Sequence, residues 1–106
     1  MLLFVRKPYC HQLRNGTKTI EIRYGDRYRR IRPGHSISVN GQFRLSVERV
    51  IHCQTVAEVL DSLDGAYESA GMRDRDSCHQ ALSNCYPTQA GPFTLLHLRR
   101  EQVASQ

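Results

Sequence analysis

Hydrophobic and polar positions in the first quarter of the chain change period twice, and each change predicts a new element. Leu2 to Arg6 is short and mostly apolar, which indicates a buried strand. A helix is expected over Tyr9 to Arg14, because a proline precedes it and Asn15-Gly16 favours its end. Thr17 to Tyr24 then alternates polar and apolar side chains, so we expect a second strand there.

The middle of the chain has the pattern of a β-hairpin. A strand over Ser36 to Val39 leads into Asn40-Gly41, the strongest hairpin signal in the sequence. Alternation resumes from Gln42 to Cys53, but the apolar positions change parity after Val47. We therefore expect a slip in register after Val47 and a largely antiparallel sheet.

Two helices are expected in the second half of the chain. Thr55 and Glu58 have the spacing of a capping box at the start of the first, and Gly65 should end it. Asp76 is the expected cap of the second helix. One side of that second helix carries small and apolar residues and is expected in the core: Cys78, Ala81, Leu82 and Cys85.

A last strand over Phe93 to Leu98 completes the order β-α-β-β-β-α-α-β. The chain has 106 residues, which favours one domain. The pattern thus predicts a single α+β domain over residues 1–98, with a polar C-terminal tail over residues 99–106.

The apolar N-terminus and the cysteines bear on the cellular setting. The run that starts at Met1 is interrupted by Arg6-Lys7, far short of the roughly 20 apolar residues of a membrane span. A signal peptide would place its charges first. The four cysteines lack the spacing of a disulfide framework. We expect a cytoplasmic protein without disulfides or a membrane partner.

The net charge of +5 is unevenly distributed along the chain. Residues 1–50 contain eleven Lys and Arg against three Asp and Glu, and residues 51–106 contain four against seven. Thirteen of the fifteen basic residues are arginine, whose guanidinium suits phosphate and base stacking. The balance indicates a polyanionic partner, with a merely solubilising surface as the alternative.

Charged residues on the second predicted strand are the main candidate site. Glu21 and Arg23 point to the same face, roughly 7 Å apart, and Lys18 lies at the strand's entrance. Tyr24 follows directly. These four residues are predicted to bind a ligand, with an ordinary surface ion pair as the alternative.

The loop that follows interleaves arginines with tyrosines, a pattern typical of surfaces that contact phosphates and stack bases. We predict that nucleic acid is bound by Arg27, Tyr28, Arg29, Arg30 and Arg32, with Arg73 extending the surface. The alternative is that these arginines pair with the acidic second half of the same chain.

A metal site is not predicted. Cys10-His11, His52-Cys53 and Cys78-His79 contain metal-binding side chains, but adjacent residues on regular elements point in different directions. No cofactor fingerprint is present either, so no cofactor is expected.

Residues 16–23 read Gly-Thr-Lys-Thr-Ile-Glu-Ile-Arg, a G-x-K-T-x-E-x-R pattern that resembles the signature of the ASCH domain. An I-x-P-G loop follows at Ile31 to Gly34, and a later helix closes in Tyr86-Pro87, as in that family. His35 stands where many members have an acidic residue.

The resemblance implies a PUA-like, mostly antiparallel β-barrel with two or three helices packed at its mouth and a cleft beside the Lys18, Glu21 and Arg23 strand. It also implies a link to RNA or modified nucleosides. In the branch that hydrolyses acetylated cytidine, the working residues are a Lys, a Thr three positions later and a downstream Glu. Lys18 matches the first, whereas Glu21 occupies the Thr position.

Three hypotheses follow. The first is an RNA-binding or modified-nucleotide-binding module that needs no cofactor. The second is an enzyme, either an amidohydrolase acting on acetylated cytidine or a ribonuclease, with Lys18 and Glu21 as catalytic residues. The third is an adaptor that binds an acidic protein. A monomer is compatible with each of them.

Overall fold

The computed structural model describes residues 1–101, and the order of its strands and α-helices confirms the predicted one. Two short 3-10 helices, at Asp26–Arg30 and Glu68–Ala70, lie in connecting segments. The strands and α-helices in chain order are β1 Leu2–Leu3, α1 Lys7–Asn15, β2 Ile20–Tyr24, β3 Ser36–Val39, β4 Phe43–Thr55, α2 Val56–Leu63, α3 Arg75–Cys85 and β5 Ala90–Arg100. The predicted tail, residues 99–106, lies partly outside the described residues.

The strands form one sheet in the order β1-β3-β4-β5-β2. β1 runs parallel to β3, and the other neighbours are antiparallel. The α+β class is thus confirmed, but the predicted barrel is not, because β1 and β2 remain two separate edges of an open sheet. The contact between these edges is instead made by a side chain, since Arg23 on β2 donates to the Phe4 carbonyl beyond β1.

Local chemistry produces the hairpin and the register slip as predicted. Asn40 and Gly41 have φ values of 53° and 70°, which a tight hairpin turn requires. β4 shifts register against β5 between Val47 and Arg49, where a β-bulge lies. The bulge explains why apolar positions change parity along this strand.

Hydrophobic side chains pack on both faces of the sheet. Leu95 faces a cluster formed with α2 and α3, whereas its neighbour Leu96 faces a second cluster formed with α1. Adjacent residues of a strand point to opposite faces, so one strand supplies both clusters. Ile20 of β2 belongs to the first cluster, and Glu21 therefore points toward the side covered by α1.

One helix cap is confirmed and the other prediction was wrong. The Thr55 hydroxyl accepts from the Glu58 amide at 3.1 Å, as a capping threonine does. At α3 the cap is Asp74 rather than Asp76, because the Asp74 carboxylate accepts from the Ser77 amide at 2.8 Å. Asp76 lies within the first turn of the helix.

The prediction that both cysteines of α3 lie in the core was half wrong. Cys78 is fully buried, whereas Cys85 is exposed, because α3 ends there beyond the edge of the hydrophobic cluster. Cys10 and Cys53 are buried, and all four thiols are free.

Within residues 1–101, no α-helix has the length and apolar character needed to cross a bilayer. The same residues contain no group of three or more His, Cys, Asp or Glu side chains arranged to hold a metal ion.

Candidate functional site

The free edge of β2 shapes the candidate site. Leu98 donates to the Thr19 carbonyl at 2.7 Å, and Gly25 donates to the Pro92 carbonyl at 3.0 Å. Backbone groups of antiparallel strands alternate in direction, so the amide and carbonyl of Ile22 point away from β5. Ile22 therefore presents backbone hydrogen-bonding groups toward the cleft that its side chain helps to line.

Lys18 lies at the floor of this cleft and is 4% exposed. Its ammonium donates to the Ile20 carbonyl at 2.8 Å and to the Ala70 carbonyl at 2.7 Å. A third contact, of 3.4 Å, reaches Glu21 Oε1. All three ammonium protons thus have an acceptor within the protein.

Burial lowers the pKa of Lys18 from its ordinary value of 10.5, and the Glu21 carboxylate opposes that shift. A neutral amine would have only two protons for three acceptors, so the contacts fit the ammonium form. A catalytic base needs a free lone pair directed at substrate. Lys18 is therefore better suited to holding Glu21 in place than to taking a proton.

Glu21 is the acceptor at the centre of the cluster, and it is 8% exposed. Its Oε1 contacts Lys18, and its Oε2 accepts from Arg23 Nη2 at 2.9 Å. A carboxylate has about four acceptor positions, so two stay available for a ligand. Two cations fix the direction of these lone pairs before any ligand arrives.

Arg23 contacts three groups within the protein. It binds Glu21, donates to the Phe4 carbonyl at 2.9 Å and lies 5.8 Å from the centre of the Tyr28 ring. These contacts make it a clamp between β2 and the segment after β1. The structure thus brings Lys18, Glu21 and Arg23 together, with the two cations turned toward the carboxylate.

The cleft above this cluster has a volume of about 480 Å³. Phe4 is 73% exposed at its mouth, an unusual position for a large aromatic side chain. The remaining walls come from the α1 side and from the α3 side of the sheet. They include Arg6, Tyr9, Met72, Asn84 and Tyr86.

Tyr24 does not line the cleft but supports one of its walls. Its ring stacks on Tyr86 with centroids 4.8 Å apart, and Phe93 meets both rings edge-on. Tyr24 is 45% exposed, so its outer surface lies next to the cleft wall formed by Tyr86.

The predicted basic loop, residues 27–32, lies beside Arg23. Its arginines are exposed, and Tyr28 is half-buried against the α1 cluster with the Arg27 guanidinium 5.2 Å from its ring centre. Among the described residues, the ion pair of this segment joins Arg29 to Asp26 at 3.4 Å, within the loop itself. The described contacts therefore do not tie these arginines to the acidic second half of the chain.

Two further predicted residues have local partners. Arg32 donates to the Arg29 carbonyl at 2.7 Å and so closes the 3-10 helix. Arg73 follows Met72 of the cleft wall and contacts Asp74 at 3.4 Å. His35 has a structural contact, since its Nδ1 accepts from the Arg32 amide at 3.2 Å. An acidic residue after Pro-Gly could accept the same hydrogen bond.

Sequence reasoning missed most of the cleft walls. The prediction of a buried strand is wrong for Phe4, because the exposure pattern of Leu3, Phe4 and Val5 places Phe4 outward. For Tyr86 the sequence predicts only the end of a helix. The alternation in the N-terminal run could have separated Phe4 from its neighbours, but no local signal places Tyr86 opposite it.

A sequence model of the ASCH domain matches residues 3–101. The chain therefore belongs to the ASCH domain family, whose PUA-like fold is associated with RNA binding. The resemblance of residues 16–23 to the ASCH signature is thus confirmed as family membership.

Two solved structures share the fold. Hypothetical protein PH0355, from Pyrococcus, is 17% identical with a TM-score of 0.78, and the match covers 92% of this chain and 95% of that chain. Protein PF0455 from Pyrococcus furiosus is 17% identical with a TM-score of 0.65, covering 96% of this chain and 97% of that chain. Such identities show the fold alone. No curated protein sequence matches the chain.

Proposed function

We propose that this ASCH domain binds RNA and holds one unpaired base or modified nucleoside in the cleft. The observation that carries the proposal is the placement of Glu21. Its buried carboxylate is fixed by Lys18 and Arg23 at the floor of a cleft of about 480 Å³. A purely stabilising ion pair would not need an open cleft above it, and burying such a pair is costly.

The cleft has the chemistry that an unstacked base requires. Glu21 accepts hydrogen bonds, so it favours a base edge with an amino group or a ring N–H. The backbone amide and carbonyl of Ile22 add one donor and one acceptor. Phe4 and Tyr86 supply aromatic surfaces for stacking, the usual way in which proteins hold single-stranded bases.

The basic loop supplies the phosphate contacts in this proposal. Arg27, Arg29 and Arg30 are exposed, and Arg23 links their 3-10 helix to the cleft through Tyr28. Guanidinium groups bind phosphate oxygens in bidentate fashion. A strand with one base in the cleft can thus extend its backbone over this loop, and no cofactor takes part.

Fluorescence anisotropy with labelled single-stranded RNA tests the proposal. Phe4→Ala removes a stacking surface without disturbing the core and should weaken binding about fivefold or more. Leu2→Ala is the matched control, because Leu2 is also an exposed N-terminal apolar residue but lies outside the cleft. Equal affinities for wild type and Phe4→Ala would contradict a base in this cleft.

The loop is tested by the salt dependence of the same binding. Arg29→Gln/Arg30→Gln should reduce the slope of log affinity against log salt by about 1.4, at about 0.7 per phosphate contact. Arg49→Gln/Arg99→Gln lowers the net charge equally at exposed sites away from the cleft. Absence of RNA binding near physiological salt would overturn the proposal as a whole.

Hydrolysis is the second candidate, because a buried carboxylate at a cleft floor can act as a general base. In that case Glu21 would activate water toward an acylated nucleoside, since Lys18 has no lone pair free. Chromatography of N4-acetylcytidine incubated with the protein tests this, and Glu21→Gln should abolish turnover. If the protein neither binds RNA nor hydrolyses N4-acetylcytidine, the result would favour the adaptor hypothesis, in which the partner is an acidic protein.

A further inference from the structure

A second concave surface lies on the exposed side of α1. It has a volume of about 390 Å³ and is lined by Val5, Lys7, Cys10, His11, Arg14, Asn40 and Gln42. We name it the α1 groove. None of these residues carries a carboxylate, and most of the polar ones can donate a hydrogen bond.

The basic side chains of the α1 groove follow helical spacing. Lys7, His11 and Arg14 are four and three residues apart, so they form one exposed row along α1. Residues 1–20 contain four Lys and Arg and no Asp or Glu, so no acidic residue of this segment neutralises the row. An anionic ligand is the partner that this charge distribution favours.

The opposite wall of the α1 groove is held rigidly by Asn40 in the hairpin turn. The Val5 amide donates to Asn40 Oδ1 at 2.8 Å, and Asn40 Nδ2 donates to the Val5 carbonyl at 3.1 Å. These paired bonds fasten the turn to the segment before α1. The groove is therefore part of the folded scaffold and does not depend on a mobile loop.

Arg14 is fixed in direction before any ligand binds. It donates to Gln42 Oε1 at 3.0 Å, and its guanidinium lies 4.7 Å from the centre of the Phe43 ring. Only one of its five N–H groups is needed for Gln42. The others remain available to a phosphate, and prior ordering of the side chain reduces the entropy lost on binding.

The α1 groove and the cleft meet at the N-terminus of α1. Val5 lines both cavities, Arg6 lines the cleft, and Lys7 lines the groove. A chain that leaves the cleft at this point therefore meets a continuous series of basic residues.

We propose that the α1 groove binds the phosphates of a single-stranded RNA whose base occupies the cleft. The strand passes over Val5 and follows α1 past Lys7, His11 and Arg14. This inference rests on the proposed function, because it requires an RNA strand anchored in the cleft.

The test compares a labelled trinucleotide with a labelled decanucleotide of RNA. Lys7→Gln/Arg14→Gln should weaken decanucleotide binding about tenfold and reduce its salt slope by about 1.4. The trinucleotide is too short to fill both sites, so its affinity should change by less than about twofold. If thermal melting shows that the double variant is not folded, Lys7→Gln and Arg14→Gln are tested separately in the same assay.

Arg49→Gln/Arg99→Gln again controls for net charge. An equal loss in that control would overturn the groove proposal, because the effect would then be unspecific. Equal affinities of the wild type for trinucleotide and decanucleotide would overturn the groove alone and leave the cleft intact. Absence of binding to either RNA would overturn the groove together with the proposed function.

Discussion

Arg23 Nη2 donates to the Phe4 carbonyl at 2.9 Å, and this hydrogen bond joins the edge strand β2 to the segment that follows β1, the other edge strand. The same guanidinium also holds Glu21. One residue therefore couples the geometry of the cleft to the contact between β2 and the segment that follows β1.

Replacing Arg23 with lysine should weaken both connections. Arg23 Nη2 donates both hydrogen bonds, and a lysine side chain ends one atom short of that nitrogen. We therefore expect a loss of about 1–3 kcal/mol in the free energy of unfolding. Urea denaturation measures this loss. Arg49→Lys, at an exposed site on β4, is the control and should change stability little. A similar loss of stability in Arg23→Lys and Arg49→Lys would show that the hydrogen bonds of Arg23 have no special role.

Lys18 should be essential for folding stability whatever the ligand is. Lys18→Met keeps the length and apolar stem but leaves two buried carbonyls without a donor, and the expected loss is about 3–5 kcal/mol. Lys7→Met, at an exposed position on α1, should stay within about 0.5 kcal/mol of wild type. Denaturation curves of the two variants give the comparison directly. Equal stabilities would contradict the structural role of Lys18.

The features of the fold that the sequence predicted correctly depend on neighbouring residues. The Asn40-Gly41 turn, the slip after Val47 and the Thr55 cap are each determined within a few positions along the chain. The choice between Asp74 and Asp76 could not be made in that way, because both precede a good helical stretch. Only the extended backbone of Asp74 decides it.

The candidate site was predictable only in part, because its residues come from distant parts of the sequence. The strand spacing correctly brought Lys18, Glu21 and Arg23 together. It did not show that Ala70, fifty-two residues from Lys18, supplies a buried acceptor. Nor did it show that Phe4 and Tyr86 face one cleft. Such contacts follow from the strand order, in which β5 separates β4 from β2, and no local pattern encodes that order.

The cap of α3 gives a paired test of the structure. Asp74→Ala should lower the urea midpoint of unfolding, because the Ser77 amide loses its acceptor. Asp76→Ala removes the same charge from the same turn without removing that hydrogen bond, so its effect should be smaller. Denaturation of both variants at neutral pH is the measurement. The reverse order of effects would support Asp76 as the cap.

His97 should make the protein less stable in mild acid. Burial, together with the nearby Arg49 cation, lowers the pKa of His97 below its ordinary value of 6.5. The unfolded chain therefore binds this proton more readily, and the free energy of unfolding falls as the pH drops below 6.5. Denaturation below pH 6.5 should show that the free energy of unfolding depends less steeply on pH in His97→Gln than in wild type. His52→Gln, at an exposed position, should keep the wild-type dependence, and an identical profile for His97→Gln would refute the assignment.

Gly71 and Gly65 form a matched pair for substitution, because both have left-handed backbones with φ of +83° and +86°. Alanine at either position should cost about 1–2 kcal/mol for the backbone alone. At Gly65 a Cβ meets open space, whereas at Gly71 it would lie 3.2 Å from Tyr9 Cε1 and 3.3 Å from Lys18 Cδ. The Tyr9 and Lys18 side chains would have to shift by a few tenths of an ångström to admit this methyl group, so we expect a larger loss at Gly71 than at Gly65. Because the crowded atoms belong to the cleft floor and wall, Gly71→Ala should also weaken RNA binding while Gly65→Ala leaves it unchanged. Equal RNA affinities in two folded variants would mean that the ligand does not depend on the position of Lys18.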